Sequence, residues 1–158
     1  KEAIFSSLQF DIEGRRVLDL FAGSGQMGLE AVSRGADHAV LVDQSKDAVK
    51  IIQKNAEKTR LSEDCTVICS DFSEFLRQRR GKEPFDIVFI DPPYAMRACK
   101  AAVETILENR LLKPHGILVL ESAEPDPLGT GTPLSEKFEV VKSARYGAAY
   151  VNILTPKA

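Results

Sequence analysis

The sequence predicts an α/β fold, in which helices cover both faces of a mostly parallel β-sheet. Three observations support this fold class. The strand-length apolar runs are apolar almost throughout, as expected for strands that are buried on both faces. Segments with the apolar spacing of helices separate these runs. The two runs that close the chain are joined by a short turn, so we expect them to pair antiparallel.

In the first half of the chain, predicted strands and helices alternate. Apolar runs at 16–21, 39–43 and 66–69 are the first three predicted strands. The helix predicted at 26–34 is ended by Gly35 in the C′ position. Ser45 is the predicted N-cap of the next helix, which runs to about Lys58. Phe72, Phe75 and Leu76 mark a further helix after the third strand.

In the second half of the chain, two more strands of the same kind are predicted at 85–90 and 117–121. Apolar residues at 103, 106, 107 and 111 line the helix between them, which we expect to end at the turn 113–116. A stretch rich in Pro and Gly at 124–133 is a predicted loop. The closing strands are predicted at 138–144 and 148–154.

Length and composition indicate one domain spanning residues 1–158. A chain of 158 residues can bury a proper core, and no repeat or low-complexity stretch divides it. Residues 1–5 have the pattern of the middle of a helix and lack an initiator Met, so we expect further sequence before Lys1.

Net charge, apolar runs and cysteine content each limit the class of protein that this chain can be. The net charge of −2 does not by itself indicate nucleic-acid binding, although an enzyme can use a local basic patch. Neither a membrane-spanning run nor a signal peptide is visible, which predicts a cytoplasmic protein without a membrane partner. The three cysteines form no disulfide-like framework and are expected to be reduced thiols.

A glycine-rich loop follows the first predicted strand. Gly23, Gly25 and Gly28 fit the pattern G-x-G-x-x-G, and Asp43 ends the second strand 20 residues after Gly23. Glycines allow the backbone to approach a ligand closely, and a carboxylate at this position can accept hydrogen bonds from ribose hydroxyls. The pattern alone fits NAD-dependent enzymes as well as other nucleoside-binding proteins.

Asp19 separates these possibilities. It lies in the first strand directly before the loop, where a dinucleotide site would have an apolar residue. A carboxylate here is costly beside a pyrophosphate but suits a cationic ligand. S-adenosylmethionine combines adenosine with a sulfonium and an ammonium, so it is the predicted ligand, with S-adenosylhomocysteine as the product.

Asp71 follows the third strand and has two interpretations. Asp71 to Glu74 resembles a capping box, which is a purely structural arrangement. Alternatively, the Asp71 carboxylate accepts the adenine amino group and the Phe72 backbone N–H meets the adenine ring. The second interpretation gains support because acids end three successive strands, where open α/β sheets bind ligands.

Asp91-Pro92-Pro93-Tyr94 follows the fourth strand as a rigid polar platform. The prolines fix φ and remove two backbone donors, so their carbonyls are available as acceptors beside a carboxylate. An aromatic ring comes directly after them. This arrangement suits a planar amide or an exocyclic amine.

Together these residues resemble class I S-adenosylmethionine-dependent methyltransferases, and Asp91 to Tyr94 matches the Asp/Asn-Pro-Pro-aromatic motif of the members that methylate amino groups. More narrowly, the chain is similar to the bacterial RsmD-like family, whose members methylate the N2 amine of a guanine in small-subunit (16S) ribosomal RNA. The segments that carry this likeness are 1–5, 17–25, 28–31, 33–36 and Tyr146-Gly147. The chain lacks the basic N-terminal segment that family members carry.

The resemblance implies a Rossmann-like fold with a seven-stranded sheet and an antiparallel last strand. It implies that S-adenosylmethionine contacts one set of residues, namely Asp19, Ala22, Gly23, Ser24 and Gly25 at its methionine portion, Asp43 and Gln44 at its ribose, and Asp71 and Phe72 at its adenine. Asp91 and the Pro92 carbonyl would accept hydrogen bonds from the target amine, and Tyr94 would stack on its base.

The partner implied is ribosomal RNA or the small-subunit particle, and the protein is expected to be a monomer. Adenine-N6 methylation of DNA or RNA stays open, because the same platform handles that amine. A glutamine-amide methyltransferase, an NAD-binding oxidoreductase and a non-catalytic nucleoside-binding module are further alternatives.

Overall fold

The computed structural model describes residues 1–93 and 98–158. Within these residues seven strands form one sheet, and they are β1 (Arg16–Asp19), β2 (His38–Asp43), β3 (Cys65–Cys69), β4 (Phe85–Ile90), β5 (Leu112–Ser122), β6 (Phe138–Tyr146) and β7 (Ala149–Pro156). The described helices are α1 (Glu2–Leu8), α2 (Gln26–Ser33), α3 (Lys46–Lys58), α4 (Phe72–Gln78) and α5 (Cys99–Glu108).

The strand order is β3-β2-β1-β4-β5-β7-β6. Strands β1 to β5 are parallel, and β7 lies antiparallel between β5 and β6. The predicted α/β class, its antiparallel last strand and the antiparallel pairing of the two closing runs are therefore confirmed. The order reverses between β1 and β4, which is the position where open α/β sheets bind ligands.

Alternate residues of the central strands pack against different helices. Leu18 belongs to the apolar cluster that contains α4 and α5, whereas Val17 belongs to the cluster that contains α1, α2 and α3. Because side chains alternate along a strand, both faces of the sheet are covered by helices. Fully buried Phe85 lies on the face covered by α4 and α5, and Phe89 on the face covered by α1, α2 and α3.

Two predicted helix ends are confirmed by their hydrogen bonds. The Ser45 hydroxyl accepts the Ala48 N–H at 3.2 Å and caps α3. Gly35 follows α2 with φ +108°, and the N–H groups of Gly35 and Ala36 close the helix on the carbonyls of Val32 and Ala31.

The predicted turn at 113–116 is wrong, because these residues belong to β5. The register between β4 and β5 shifts there, so that Phe85 pairs with Leu112 and Ile87 with Ile117. Pro114 cannot donate to a strand ladder, which explains why regular pairing is interrupted without ending the strand. The first strand also ends earlier than predicted, at Asp19.

No helix in the described part of the chain is both long and apolar enough to cross a lipid bilayer.

Candidate active site

A cavity of about 1450 Å³ lies at the carboxyl ends of the parallel strands. It is lined by one carboxyl group from the end of each of five neighbouring strands, namely Asp19, Asp43, Asp71, Asp91 and Glu121. The glycine loop after β1 and the Asp91-Pro92-Pro93 segment after β4 both form part of its wall. The arrangement concentrates negative charge around a space that can hold a ligand.

The backbone of the glycine loop is held by hydrogen bonds from two sides. Gly23 and Gly25 have φ values of +57° and +88°, a region that other residues rarely adopt. The Ala22 N–H donates to the Val42 carbonyl of β2 at 2.8 Å. On the other side, the Asn55 side chain donates to the Ser24 carbonyl at 3.0 Å. These bonds fix the backbone that faces the cavity.

Asp19 is buried, with 2% of its surface exposed, and its Oδ2 accepts the Gly28 N–H at 3.0 Å. Burial raises the pKa of Asp19 to about 7, against the opposing effect of the Gly28 hydrogen bond. The nearby charges of Asp91, Asp43 and Glu121 raise this pKa further. A cation in the cavity would stabilise the Asp19 carboxylate, whereas an anion would not.

Asp43 uses both carboxylate oxygens to hold the backbone around it. Its Oδ2 accepts the Gly23 N–H and its Oδ1 accepts the Ser45 N–H, each at 2.9 Å. Its neighbour Gln44 also lines the cavity and is exposed. The structure therefore brings Asp43 and Gln44 to the cavity edge, beside the glycine loop.

Asp71 caps α4, as its structural interpretation predicts. Its Oδ2 accepts the N–H groups of Ser73 at 3.1 Å and Glu74 at 3.3 Å, and the Ser73 hydroxyl as well. The hydrogen bond from the Ser73 side chain is the main reason that the pKa of Asp71 is lowered. Asp71 also lines the cavity, so capping and ligand contact are compatible.

Phe72 lies in the cavity wall beside Phe21, with the two ring centroids 5.1 Å apart. Both rings are partly buried. They form an apolar surface of the kind on which a planar base can pack. Phe21 was not among the predicted site residues, although its place directly after an apolar strand and before the glycine loop was a signal.

Asp91 and Pro92 line the cavity at the end of β4. The Asp91 side chain opens onto the cavity, and desolvation by the surrounding wall raises its pKa. The third predicted member of this platform, Tyr94, lies outside the described residues.

Glu121 at the end of β5 was also missed by the sequence analysis. It is half-buried, lines the cavity and lies beside Asp91, because the residues directly before the two acids, Leu120 and Ile90, are paired. Burial, followed by the charge of Asp91, raises the pKa of Glu121 to about 7. The signal was available, because Glu121 follows an apolar strand in the same way as Asp43 and Asp91.

In the described ranges, no cluster of three or more His, Cys, Asp or Glu side chains could hold a metal ion. All three cysteines are free.

A family model described as "Conserved hypothetical protein 95" matches residues 1–155. The chain belongs to this family. The family match and one relative together confirm the RsmD-like resemblance of the sequence. This relative, a ribosomal RNA small subunit methyltransferase D from Haemophilus influenzae, is 34% identical over 149 residues. That match covers 92% of this chain and 77% of the relative.

One further relative and one solved structure are also similar to this chain. The enzyme of the same name from Escherichia coli K12 is 32% identical over 130 residues, and the match covers 82% of this chain and 64% of the relative. A solved structure of a conserved hypothetical protein from Streptococcus pyogenes superposes with a TM-score of 0.84 at 32% identity, covering 98% of this chain and 94% of that one. The chain thus spans about two thirds to three quarters of these two curated relatives.

Proposed function

We propose that this protein transfers a methyl group from S-adenosylmethionine to the exocyclic N2 amine of a guanine in small-subunit ribosomal RNA. The observation that carries the proposal is the ring of five strand-end carboxyl groups around one cavity, with Asp19 buried directly beneath the glycine loop.

The charge of the cavity favours S-adenosylmethionine over a dinucleotide. A pyrophosphate on the glycine loop would lie beside the Asp19 carboxylate and would be repelled by it. An ammonium and a sulfonium are attracted by the same carboxylate. Asp19 with the loop from Ala22 to Gly25 would hold the methionine portion, Asp43 and Gln44 the ribose, and Asp71 with Phe72 the adenine. When bound, the ligand supplies an electrophilic methyl group.

The platform after β4 suits an amine acceptor. The lone pair of a guanine N2 amine is delocalised into the ring, which makes the amine a poor nucleophile. Asp91 and the Pro92 carbonyl would accept its two N–H groups and so aim the nitrogen at the methyl carbon. Alignment of this kind can supply a large effective molarity, and prepositioned acceptors stabilise the positive charge that develops on nitrogen. The base would be unstacked from the RNA to reach the cavity.

The choice of ribosomal RNA rests on the relatives. The two curated members of the family described above are named ribosomal RNA small subunit methyltransferases. Adenine N6 is the nearest competing acceptor, because it presents the same amine chemistry to the Asp91 platform.

The experiment is tritiated methyl transfer to naked small-subunit RNA, to small-subunit particles and to DNA, followed by nucleoside analysis. We expect N2-methylguanosine from one of the two RNA substrates. N6-methyladenosine as the product would show that the acceptor is wrong. A rise in melting temperature with NADH but with neither S-adenosylmethionine nor S-adenosylhomocysteine would overturn the methyltransferase proposal altogether.

A further inference from the structure

Glu121 lies next to Asp91 because of the strand register. Ile90 of β4 pairs with Leu120 of β5, and both side chains pack on the sheet face that α4 and α5 cover. Glu121 is the next residue of β5, and Asp91 directly follows the end of β4. Asp19 of β1 pairs with Phe89, two residues before Asp91, and lines the same cavity as both acids.

Both carboxyl groups line the same cavity, and they interact, since the charge of Asp91 raises the pKa of Glu121. An ionised carboxylate only accepts hydrogen bonds, so a hydrogen bond between the two groups would require a proton. A proton held by Glu121 would occupy one acceptor position of Asp91 and leave its other positions for the cavity. Such a shared proton would make Asp91 and Glu121 one acid–base unit at the platform where the amine would bind.

We propose that Glu121 acts through Asp91: once their shared proton has left, the pair balances the positive charge that develops on the amine nitrogen and then receives the proton that this nitrogen releases. The proposal rests on the methyl transfer proposed above. Glu121 is a positioning residue in this scheme, because Asp91 makes the contact with the amine.

The step balances in atoms and charge. The nitrogen lone pair forms the new N–C bond while the C–S bond breaks and its electron pair stays on sulfur. The nitrogen then carries two hydrogens and a positive charge. One N–H bond breaks, its electron pair returns to nitrogen, and the proton passes to Asp91 and is shared with Glu121. Loss of this proton to water through the open cavity completes the turnover.

Other charged and titratable groups near the pair affect its titration. Asp19 faces it from β1, and the charges of Asp91 and Glu121 raise the pKa of Asp19. Glu124 follows β5 as a further acid, and Lys1 and Lys100 line the same cavity as cations. Cys99 at the start of α5 contacts the Glu121 carbonyl through its Sγ, and burial raises the pKa of this thiol to about 12.

The kinetic test is the pH profile of kcat/KM for the RNA substrate at saturating S-adenosylmethionine, where the ammonium of the bound ligand keeps Asp19 ionised and the profile reports the remaining groups of the enzyme. We expect the wild-type rate to rise with pH through a step near pH 7, the pKa of Glu121. In Glu121→Gln the amide can still donate to Asp91, so Asp91 stays ionised and oriented. This variant is expected to lose the step and to be roughly 10- to 100-fold slower at pH 8. Glu104→Gln, an exposed change on α5, is the matched control and should retain the wild-type profile.

A second measurement of the Glu121 titration does not depend on methyl transfer. Side-chain carboxyl ¹³C NMR of the ligand-free protein should show one Glu signal with a midpoint near pH 7, absent from Glu121→Gln. Titration of Glu121 near its ordinary value of about 4.3 would overturn the shared proton. An unchanged pH step in a folded Glu121→Gln protein would overturn its kinetic role. Absence of methyl transfer by the wild type, with the NMR result as expected, would instead refute the proposed function and that kinetic role while leaving the pair itself intact.

Discussion

Gly23 donates its backbone N–H to Asp43 Oδ2 at 2.9 Å and thereby ties the glycine loop after β1 to the carboxyl end of β2. The other oxygen of the same carboxylate accepts the N–H of Ser45, the N-cap of α3. One side chain therefore positions the loop and the start of a helix. Replacing Asp43 would disturb both, so variants of other cavity residues separate binding from folding more cleanly.

Asp19→Asn should stabilise the ligand-free protein at alkaline pH. The folded pKa of about 7 lies above the unfolded value of about 3.9, so the folded state binds this proton more tightly. The resulting stabilisation is complete below about pH 4 and is lost as pH rises through 7. Asn cannot ionise, so the variant should melt several degrees higher than the wild type at pH 8, with the difference closing near pH 4.

Asp19→Asn should also weaken S-adenosylhomocysteine, because the carboxylate that attracts the ligand's ammonium is gone. Calorimetry at pH 8 measures both effects. The exposed change Asp37→Asn is the control and should alter neither. Equal stability of Asp19→Asn and the wild type at pH 8 would refute the assigned cost of burying this charge.

Gly28→Ala should destabilise the protein even though Gly28 lies in α2. Helix propensity favours Ala by about 1 kcal/mol. A Cβ, however, would lie 2.7 Å from Leu41 Cδ2 and 3.3 Å from Asp19 Cβ. Leu41 is fully buried in the core, and overpacking of a core side chain costs about 1–3 kcal/mol. We expect a net loss of about 1 kcal/mol in chemical denaturation.

A double-mutant cycle checks the cause of that loss. In a Leu41→Ala background the contact is absent, so Gly28→Ala should cost less there or even stabilise the protein. The same cost in both backgrounds would contradict the steric explanation.

Asp71→Ser and Asp71→Ala separate the two roles of Asp71. Ser is a good N-cap, whereas Ala loses about 1 kcal/mol of capping. Neither side chain presents a carboxylate to adenine. We therefore expect both variants to bind S-adenosylhomocysteine roughly tenfold more weakly, while only Asp71→Ala melts at a lower temperature. Wild-type affinity in Asp71→Ser would leave Asp71 as a helix cap alone.

Much of the fold followed from residue patterns that act locally. The run from Phe85 to Ile90 has the same bounds in the sequence prediction and in the structure. Gly35 and Ser45 end and begin helices through backbone geometry that their residue types prefer. The insertion of β7 between β5 and β6 depends on contacts between distant segments, and the spacing of the two closing runs carries no information about it.

Part of the candidate site could be predicted from the sequence by a single rule. The rule that an acid after an apolar strand faces the ligand identified Asp43 and Asp91, and the same rule would have identified Glu121. The two functions of Asp71 could not be separated from the sequence, because a capping carboxylate and a ligand-binding carboxylate have the same local pattern. The interruption around Pro114 resembled a helix-ending turn, and only the pairing of Leu112 and Ile117 with β4, on either side of it, showed that one strand runs through it.

The most direct test of the central claim is Asp91→Ala in single-turnover methyl transfer with saturating S-adenosylmethionine and small-subunit RNA or particles. We predict a rate roughly 100-fold or more below the wild type, as for loss of a prepositioned group that stabilises developing charge, with nearly unchanged affinity for S-adenosylhomocysteine. Asp91→Asn keeps one acceptor and should lose less. A rate for Asp91→Ala within a few-fold of the wild type would contradict the assignment of Asp91 as the acceptor that orients the amine.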